Sequence, residues 1–316
     1  MPRVAPLRSR TSAVALAGGV ATALLLTGCG GDSTTATEAG ATPSGTDGLS
    51  IVASTDVYGS IATAVAGDAA TVTSIITDPS ADPHSYEANT RTQLELSRAD
   101  VVVENGGGYD DFVDTMLKAA DNPDVRVVNA VDVSGKAAGA GEELNEHVWY
   151  DVPSVRKVAD AVEAALTQAA PDDAATFKAN ADAFDAQLAT LEQTITADAA
   201  ATRGAPVAIT EPVPGYLLDA LGAVEKTPEA FSEAIEEDTD VPVDVLQETL
   251  ALFTDRQVRA LVYNEQTTGP QTEQVLAAAR AAGIAVVPVT ETLPEGKDYT
   301  TWMTENVEAV AAALRP

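Results

Sequence analysis

Residues 171–203 read PDDAATFKANADAFDAQLATLEQTITADAAATR. Proline followed by two acids is a helix start, because Pro lacks the N–H that a first turn leaves unbonded and acids favour the positive end of the helix dipole. The apolar residues Phe177, Phe184, Leu188, Leu191 and Ile195 then recur at spacings of 7, 4, 3 and 4, which is one stripe along a helix. No Gly or Pro interrupts the run before Gly204. At about 1.5 Å per residue the helix reaches on the order of 45 Å, enough to run the height of two lobes and to join them stiffly.

The chain on either side of this helix has one rhythm. Before it, short β-branched runs at Ser50–Ser54, Thr71–Ile76, Asp100–Glu104 and Val125–Asn129 alternate with helical segments at Gly59–Ala66, Thr90–Arg98 and Asp110–Ala120. After it, strands at Pro206–Thr210, Val258–Asn264 and Ile284–Thr290 alternate with helices at Gly215–Leu221, Val243–Asp255, Pro270–Ala282 and Tyr299–Leu314. Such alternation predicts an α/β protein of two lobes, each a mainly parallel sheet flanked by helices. About 268 residues from Leu49 onward also exceed what one core usually holds. The expected boundaries are an N-terminal lobe over 49–170, the linking helix over 171–203 and a C-terminal lobe over 204–316.

The N-terminal end carries a different message. Arg3, Arg8 and Arg10 precede an uncharged stretch from Ser12 to Leu26 that is too short to span a membrane comfortably, the pattern of an export signal over 1–28. Leu26-Thr27-Gly28-Cys29 resembles the bacterial lipobox, and Cys29 is the only cysteine of the chain. Lipidation there would anchor the protein outside the cytoplasmic membrane. Residues 29–48 hold almost nothing large and apolar, as a flexible stalk does. With no other Cys, disulfides are excluded and any metal ligands must be N or O.

The formal charge is −30, with 48 acids against 18 Lys and Arg, three of which lie in the signal. Nucleic acid and anionic lipid surfaces are therefore poor partners, leaving the anchor as the contact with the membrane. Most of the acids, including the run Glu236-Glu237-Asp238-Thr239-Asp240, are expected on a solvated surface.

The chain has only two histidines, in Asp82-Pro83-His84-Ser85-Tyr86-Glu87 and Asn145-Glu146-His147-Val148-Trp149-Tyr150-Asp151. Imidazole is the commonest ligand for first-row transition metals, so two His beside acids and aromatics invite a metal reading, although a His after a Pro turn is more often a solvated loop residue. In open α/β sheets ligands collect beyond the carboxyl ends of the strands. Glu211 follows one expected strand end and Glu291 another. Strand-end acids also commonly cap the next helix, and the residues alone leave both readings open. Trp149 and Tyr86 stand beside the histidines in sequence, either as shields from water or as ordinary core aromatics.

These segments, together with Val103-Glu104-Asn105-Gly106-Gly107-Gly108-Tyr109-Asp110, Thr210-Glu211-Pro212-Val213-Pro214-Gly215-Tyr216-Leu217 and Val289-Thr290-Glu291-Thr292-Leu293 with Tyr299 and Trp302 behind it, resemble the zinc/manganese solute-binding receptors of ABC transporters, the cluster A-I or family 9 group. The resemblance runs from about Ser50 to the C-terminus. It implies a monomeric, lipid-anchored receptor outside the membrane that captures Zn²⁺ or Mn²⁺ as its transported ligand and passes it to a cognate ABC permease. It implies no enzymatic activity, and its four metal ligands fall on His84, His147, Glu211 and Glu291, with Glu295 as the other acid an alignment could choose. Two departures stand out. Both acidic positions hold Glu where many members have His and then Asp, and the segment 135–146 lacks the His-rich run frequent in zinc receptors. Two imidazoles and two carboxylates neutralise a 2+ ion; carboxylates tilt the site toward Mn²⁺, while the Irving–Williams order still favours Zn²⁺. The competing readings are a metal-dependent hydrolase or oxygenase using His84, His147 and one Glu, an adhesin, and a receptor for a metal chelate. The chain has no HExxH, GxSxG or nucleotide-loop motif that would support an enzyme.

Overall fold

The computed structural model describes residues 48–81, 83–139 and 143–316. The export signal, Cys29 and the stalk up to residue 47 lie outside the described residues, as do Asp82 and residues 140–142.

The first lobe holds a four-stranded parallel sheet of β1 (Leu49–Thr55), β2 (Ala70–Ile76), β3 (Val101–Glu104) and β4 (Arg126–Asn129), in the order β2-β1-β3-β4. Parallel neighbours need crossover connections. These are supplied by α1 (Asp56–Ala66), α2 (Thr90–Leu96) and α3 (Asp111–Ala120), and the short α4 (Ala130–Ser134) and α5 (Val152–Ala169) follow β4. The long helix α6 (Ala174–Thr202), led in by a single turn at Pro171–Asp173, then carries the chain to the second lobe. There β5 (Pro206–Ile209), β6 (Val224–Glu225), β7 (Ala260–Asn264) and β8 (Ala285–Val289) form a second parallel sheet in the order β6-β5-β7-β8, with α7 (Gly215–Ala220), α8 (Glu229–Glu236), α9 (Val243–Thr254), α10 (Pro270–Ala282) and α11 (Tyr299–Leu314) around it.

The strand residues sort by parity, as side chains on successive positions must. Ile51, Ala53, Val101 and Val103 face a central core; Val52 and Val102 face a smaller outer core with Leu96 and Val113. In the second sheet Val207, Ile209, Ala260 and Val262 face the central core, and Ala208 and Leu261 face an outer one with Phe231, Phe253 and Val275. Strands buried on both faces explain why they read as continuous apolar runs.

The central core is continuous through both lobes, and α6 belongs to it. Its stripe of Phe177, Phe184, Leu188, Leu191 and Ile195 is buried there. Polar contacts fix the helix at several heights: Asn180 donates to the Val65 carbonyl at 3.1 Å, and the Arg156 guanidinium grips Glu192 through two bonds of 3.0 and 2.9 Å while also meeting Asp185. The connection is stiff because it is packed along its length, not only because it is long. Leu188 is fully buried, so Leu188→Ala is expected to cost about 2–5 kcal/mol through lost transfer energy and an unfilled cavity. Urea unfolding should show a lower midpoint at an unchanged slope.

The structure differs from the sequence reading in local extent. Helix α1 begins three residues early, at Asp56, with Thr55 as its cap residue. Strand β6, of two residues, and helices α4 and α8 were not anticipated; β6 and α4 are too short to show a period, and α8 offers one turn of it, from Phe231 to Ile235.

Candidate metal centre

Both sheets reverse their order between the first and third strands of their lobe, which places a crevice beyond the carboxyl ends of β1 and β3 on one side and of β5 and β7 on the other. The candidate residues lie in loops at the carboxyl ends of the two sheets. His84 lies in a one-turn helix at Pro83–Ser85 after β2, His147 precedes another at Val148–Tyr150, and Glu211 and Glu291 follow β5 and β8.

His147 is fully buried and held by Asn145. The Asn145 amide oxygen accepts from the His147 backbone N–H at 3.0 Å and lies 2.9 Å from ring Nδ1. An amide oxygen only accepts, so Nδ1 carries a hydrogen and Nε2 is turned to the crevice. The Asn145 amide nitrogen in turn donates across the lobes to the Pro212 carbonyl at 2.9 Å, and the Tyr216 hydroxyl donates to the Asn145 carbonyl at 2.7 Å. Trp149 packs on the His147 ring with centroids 5.0 Å apart, and Tyr109 meets His84 edge-on at 4.7 Å. Tyr86, by contrast, packs on Phe112, with its hydroxyl 2.8 Å from Thr92 Oγ1. Tyr109 is therefore the aromatic that backs His84.

Glu291 is 1% exposed. Its Oε1 accepts from Asn264 Nδ2 at 2.8 Å, and its backbone N–H donates to Gln266 Oε1. Gln266 Nε2 also reaches the Ala81 carbonyl at 2.6 Å and Thr292 Oγ1 at 2.8 Å, tying the His84 loop to the loop after β8. With Oε1 so occupied, Oε2 faces the imidazoles, 3.5 Å from His84 Nε2 and 3.6 Å from His147 Nε2. Glu295 is exposed on the surface beyond.

Glu236 enters the same space and corrects one expectation. The sequence placed it in a solvated acidic run; in the structure its side chain is 12% exposed and Oε1 lies 3.2 Å from His84 Nε2 and 3.3 Å from His147 Nε2. His84, His147 and Glu236 each offer one donor atom within 4.8 Å of the others. Helix α8 brings Glu236 there by burying Phe231, Ala234 and Ile235 in the outer core of the second sheet. The spacing of Phe231 and Ile235 was the available signal, one turn of an amphipathic helix ahead of the acids. Glu211 stands beside this group, 3% exposed. Among the described residues, His147 Nε2, Glu211 Oε2, Glu236 Oε1 and Glu291 Oε2 are all buried without a hydrogen-bond partner, a costly state unless they serve a ligand.

The electrostatics follow from this crowding. Burial lowers the His84 and His147 pKa values, but the facing carboxylates outweigh it and push them up to about 11 and about 9. Burial would raise Glu291, yet the two imidazoles hold it far below the usual carboxylate range. Burial, with the charges of Glu291 and Glu236, pushes Glu211 up to about 8, against hydrogen bonds from Asn264 and Thr267. In front of the group opens a cavity of about 940 Å³, lined among others by His84, Glu146, Glu229, Glu233, Glu236 and Glu237. Acids are thus frequent in the wall of the cavity that leads to the group.

Two parallel-sheet lobes on one long packed helix, with nitrogen and oxygen donors converging between them, define a two-lobed solute-binding receptor. The chain belongs to the family of the periplasmic component A of zinc-uptake complexes, whose model matches residues 51–313. It is 30% identical over 173 residues to a manganese-binding lipoprotein, MntA, of Halalkalibacterium halodurans, an alignment that spans 55% of each chain. It is 25% identical over 266 residues, 83% of each chain, to the manganese-binding lipoprotein MntA of Bacillus subtilis. The fold is similar to that of the periplasmic zinc-binding protein TroA of Treponema pallidum, with a TM-score of 0.73 at 19% identity, over 85% of this chain and all of that one.

Proposed function

We propose that this protein captures a divalent transition metal, Zn²⁺ or Mn²⁺, between its two lobes and delivers it to an ABC permease for uptake, acting as a monomeric receptor and not as an enzyme. The lobes are taken as 49–170 and 204–316, with the helix 171–203 between them. His84, His147, Glu211 and Glu291 hold the ion. The observation that carries the reading is the set of buried donor atoms left without hydrogen bonds, one imidazole nitrogen of His147 and one oxygen each of Glu211, Glu236 and Glu291, with Glu291 within 3.6 Å of both imidazoles. Nitrogen and oxygen donors of this kind suit Zn²⁺ and Mn²⁺. Family membership supports a receptor, and the matched relatives are named for binding manganese or zinc.

The lobes are already joined by direct bonds near the site, among them Tyr150 hydroxyl to Thr290 carbonyl and Tyr299 hydroxyl to Trp149 carbonyl, both 2.8 Å. Metal capture on this scaffold is a local closure of ligands, not a swing of the lobes. Cys29 carries the lipid that tethers the receptor to the outer face of the membrane.

Elemental analysis of the purified protein followed by competition titration with Zn²⁺ and Mn²⁺ tests the reading. One ion per chain, bound without a chelator, is expected; absence of binding, or binding only of a chelated metal, removes it. A Cys29→Ser variant should bind metal equally well and partition into the soluble fraction, and membrane retention of that variant would remove the anchor.

A further inference from the structure

Resting on the receptor reading above, we propose that Glu236 is an additional ligand of the captured ion, carried in by α8, and that it sets the metal preference by raising the coordination number above four. The geometry carries this. Two donors bound to one ion at about 2.0–2.2 Å, at the angles of a tetrahedron or octahedron, stand roughly 2.8–3.6 Å apart. Glu236 Oε1 stands 3.2 and 3.3 Å from the two imidazole nitrogens, as close as Glu291 Oε2 at 3.5 and 3.6 Å. Two further facts separate this from a surface acid that happens to be near. Glu236 Oε1 is buried with no hydrogen bond, and the fully buried His147 Nε2, equally without one, is turned toward it.

The acid is also held in place from behind. Ile235, its neighbour in sequence, is 8% exposed and Phe231 fully buried, so α8 cannot rotate without exposing apolar surface. The chain then turns at Asp238, in the left-handed conformation at φ 49°, with Thr239 N–H bonded to the Ala234 carbonyl at 2.8 Å. The last turn of α8 thus points its final side chain at the site, at the helix end where cations are favoured.

The consequence concerns selectivity. His84, His147, Glu211 and Glu291 alone would make a four-donor site, which satisfies Zn²⁺. Adding a third carboxylate gives five donors with an oxygen majority, which suits Mn²⁺ and its preference for six ligands.

The test is a competition titration of wild type, Glu236→Gln, Glu236→Ala and Glu237→Gln with Mn²⁺ and with Zn²⁺. Glu237 adjoins Glu236 and lines the same cavity, so its neutralisation measures the effect of charge alone. Glu236→Ala should weaken Mn²⁺ about 100-fold and Zn²⁺ less than about tenfold, while Glu237→Gln should weaken both by less than about threefold. Visible absorption of the Co²⁺-loaded protein gives an independent reading: weak bands in wild type, intense four-coordinate bands in Glu236→Ala. Equal losses for both metals, equal effects of the two Gln variants, or unchanged Co²⁺ bands overturn the role of Glu236 while leaving the receptor standing. Failure of wild type to bind either ion removes the receptor reading itself, and this inference with it.

Discussion

His147→Ala is expected to lower affinity for Zn²⁺ and Mn²⁺ by at least about a thousandfold. Loss of a partner that merely orients a ligand typically costs 10–100-fold, and His147 supplies the donor itself. It is fully buried, its Nδ1–H is committed to Asn145, and its Nε2 lies within 3.6 Å of both Glu236 and Glu291. Truncation removes a nitrogen ligand and leaves those two carboxylates with His84 alone to balance them. A saturating metal at 100 times its Kd stabilises a protein by about 2.7 kcal/mol; the variant should lose this, so its melting temperature should not respond to metal. Asn145→Ala, which frees the ring but keeps the ligand, should fall in the 10–100-fold range. Wild-type affinity in folded His147→Ala would remove His147 from the site. The effect of Asn145 is the finer check, because only a positioning role predicts a loss of intermediate size.

Metal affinity is expected to climb steeply with pH, by about 100- to 1,000-fold per unit between about pH 6 and pH 8. The metal-free imidazoles are held at about 11 and about 9, so both carry protons at neutral pH, and a metal ion must displace them. Glu211, at about 8, adds a third proton below that pH. The stability of the metal-free protein runs the other way. A histidine whose pKa is raised on folding stabilises fully below its unfolded value near 6.5 and loses that contribution as pH rises through about 9. Glu291, whose pKa is depressed, stabilises above its unfolded value near 4.5 and loses that contribution as pH falls toward its folded value. The ion pairs therefore support the metal-free fold most between about pH 4.5 and 6.5, and metal takes over that role as pH rises. Calorimetry in buffers of different ionisation enthalpy should count about three protons released per ion at pH 7, two from the imidazoles and one from Glu211. A count below one, or affinity flat from pH 6 to 8, would mean that the imidazoles are not displaced from their carboxylates by the ion.

Much of the architecture was legible because burial imposes period. The strands read within one or two residues of their observed ends, the central ones as apolar runs because they are buried on both faces, and the α10 and α11 bounds were readable directly from Pro270 and from the helical run between Tyr299 and Leu314. The long helix announced itself through the Pro171 start and its five-residue stripe. Strand β6 could not be read, since Val224 and Glu225 are exposed and only their ladder to Pro206 and Val207 makes them a strand.

The site was legible in part. His84 and His147 stood out through scarcity, whereas Glu211 and Glu291, whose strand-end places suit a ligand or a helix cap alike, were singled out as candidates by the family resemblance. Asn145 was visible as a residue, but its double task, orienting His147 and bonding Pro212 in the other lobe, depends on a contact 67 residues away in sequence. Tyr86, which the sequence left open between a shield for His84 and a core aromatic, packs on Phe112, and Tyr109 backs His84 from another loop.

Two parallel-sheet lobes and the helix between them can be read from the chain, because hydrophobic period is a local property that each segment carries alone. That Glu236, among a run of acids with the same local character, turns inward while its neighbours face solvent or the cavity follows from packing between distant segments. That choice depends on α8 burying Phe231 and Ile235 against the second sheet and on the two lobes meeting so that the last side chain of this helix ends between two imidazoles from the other lobe. Charge says which residues can serve a cation, but the packing of distant apolar residues selects which one is within reach.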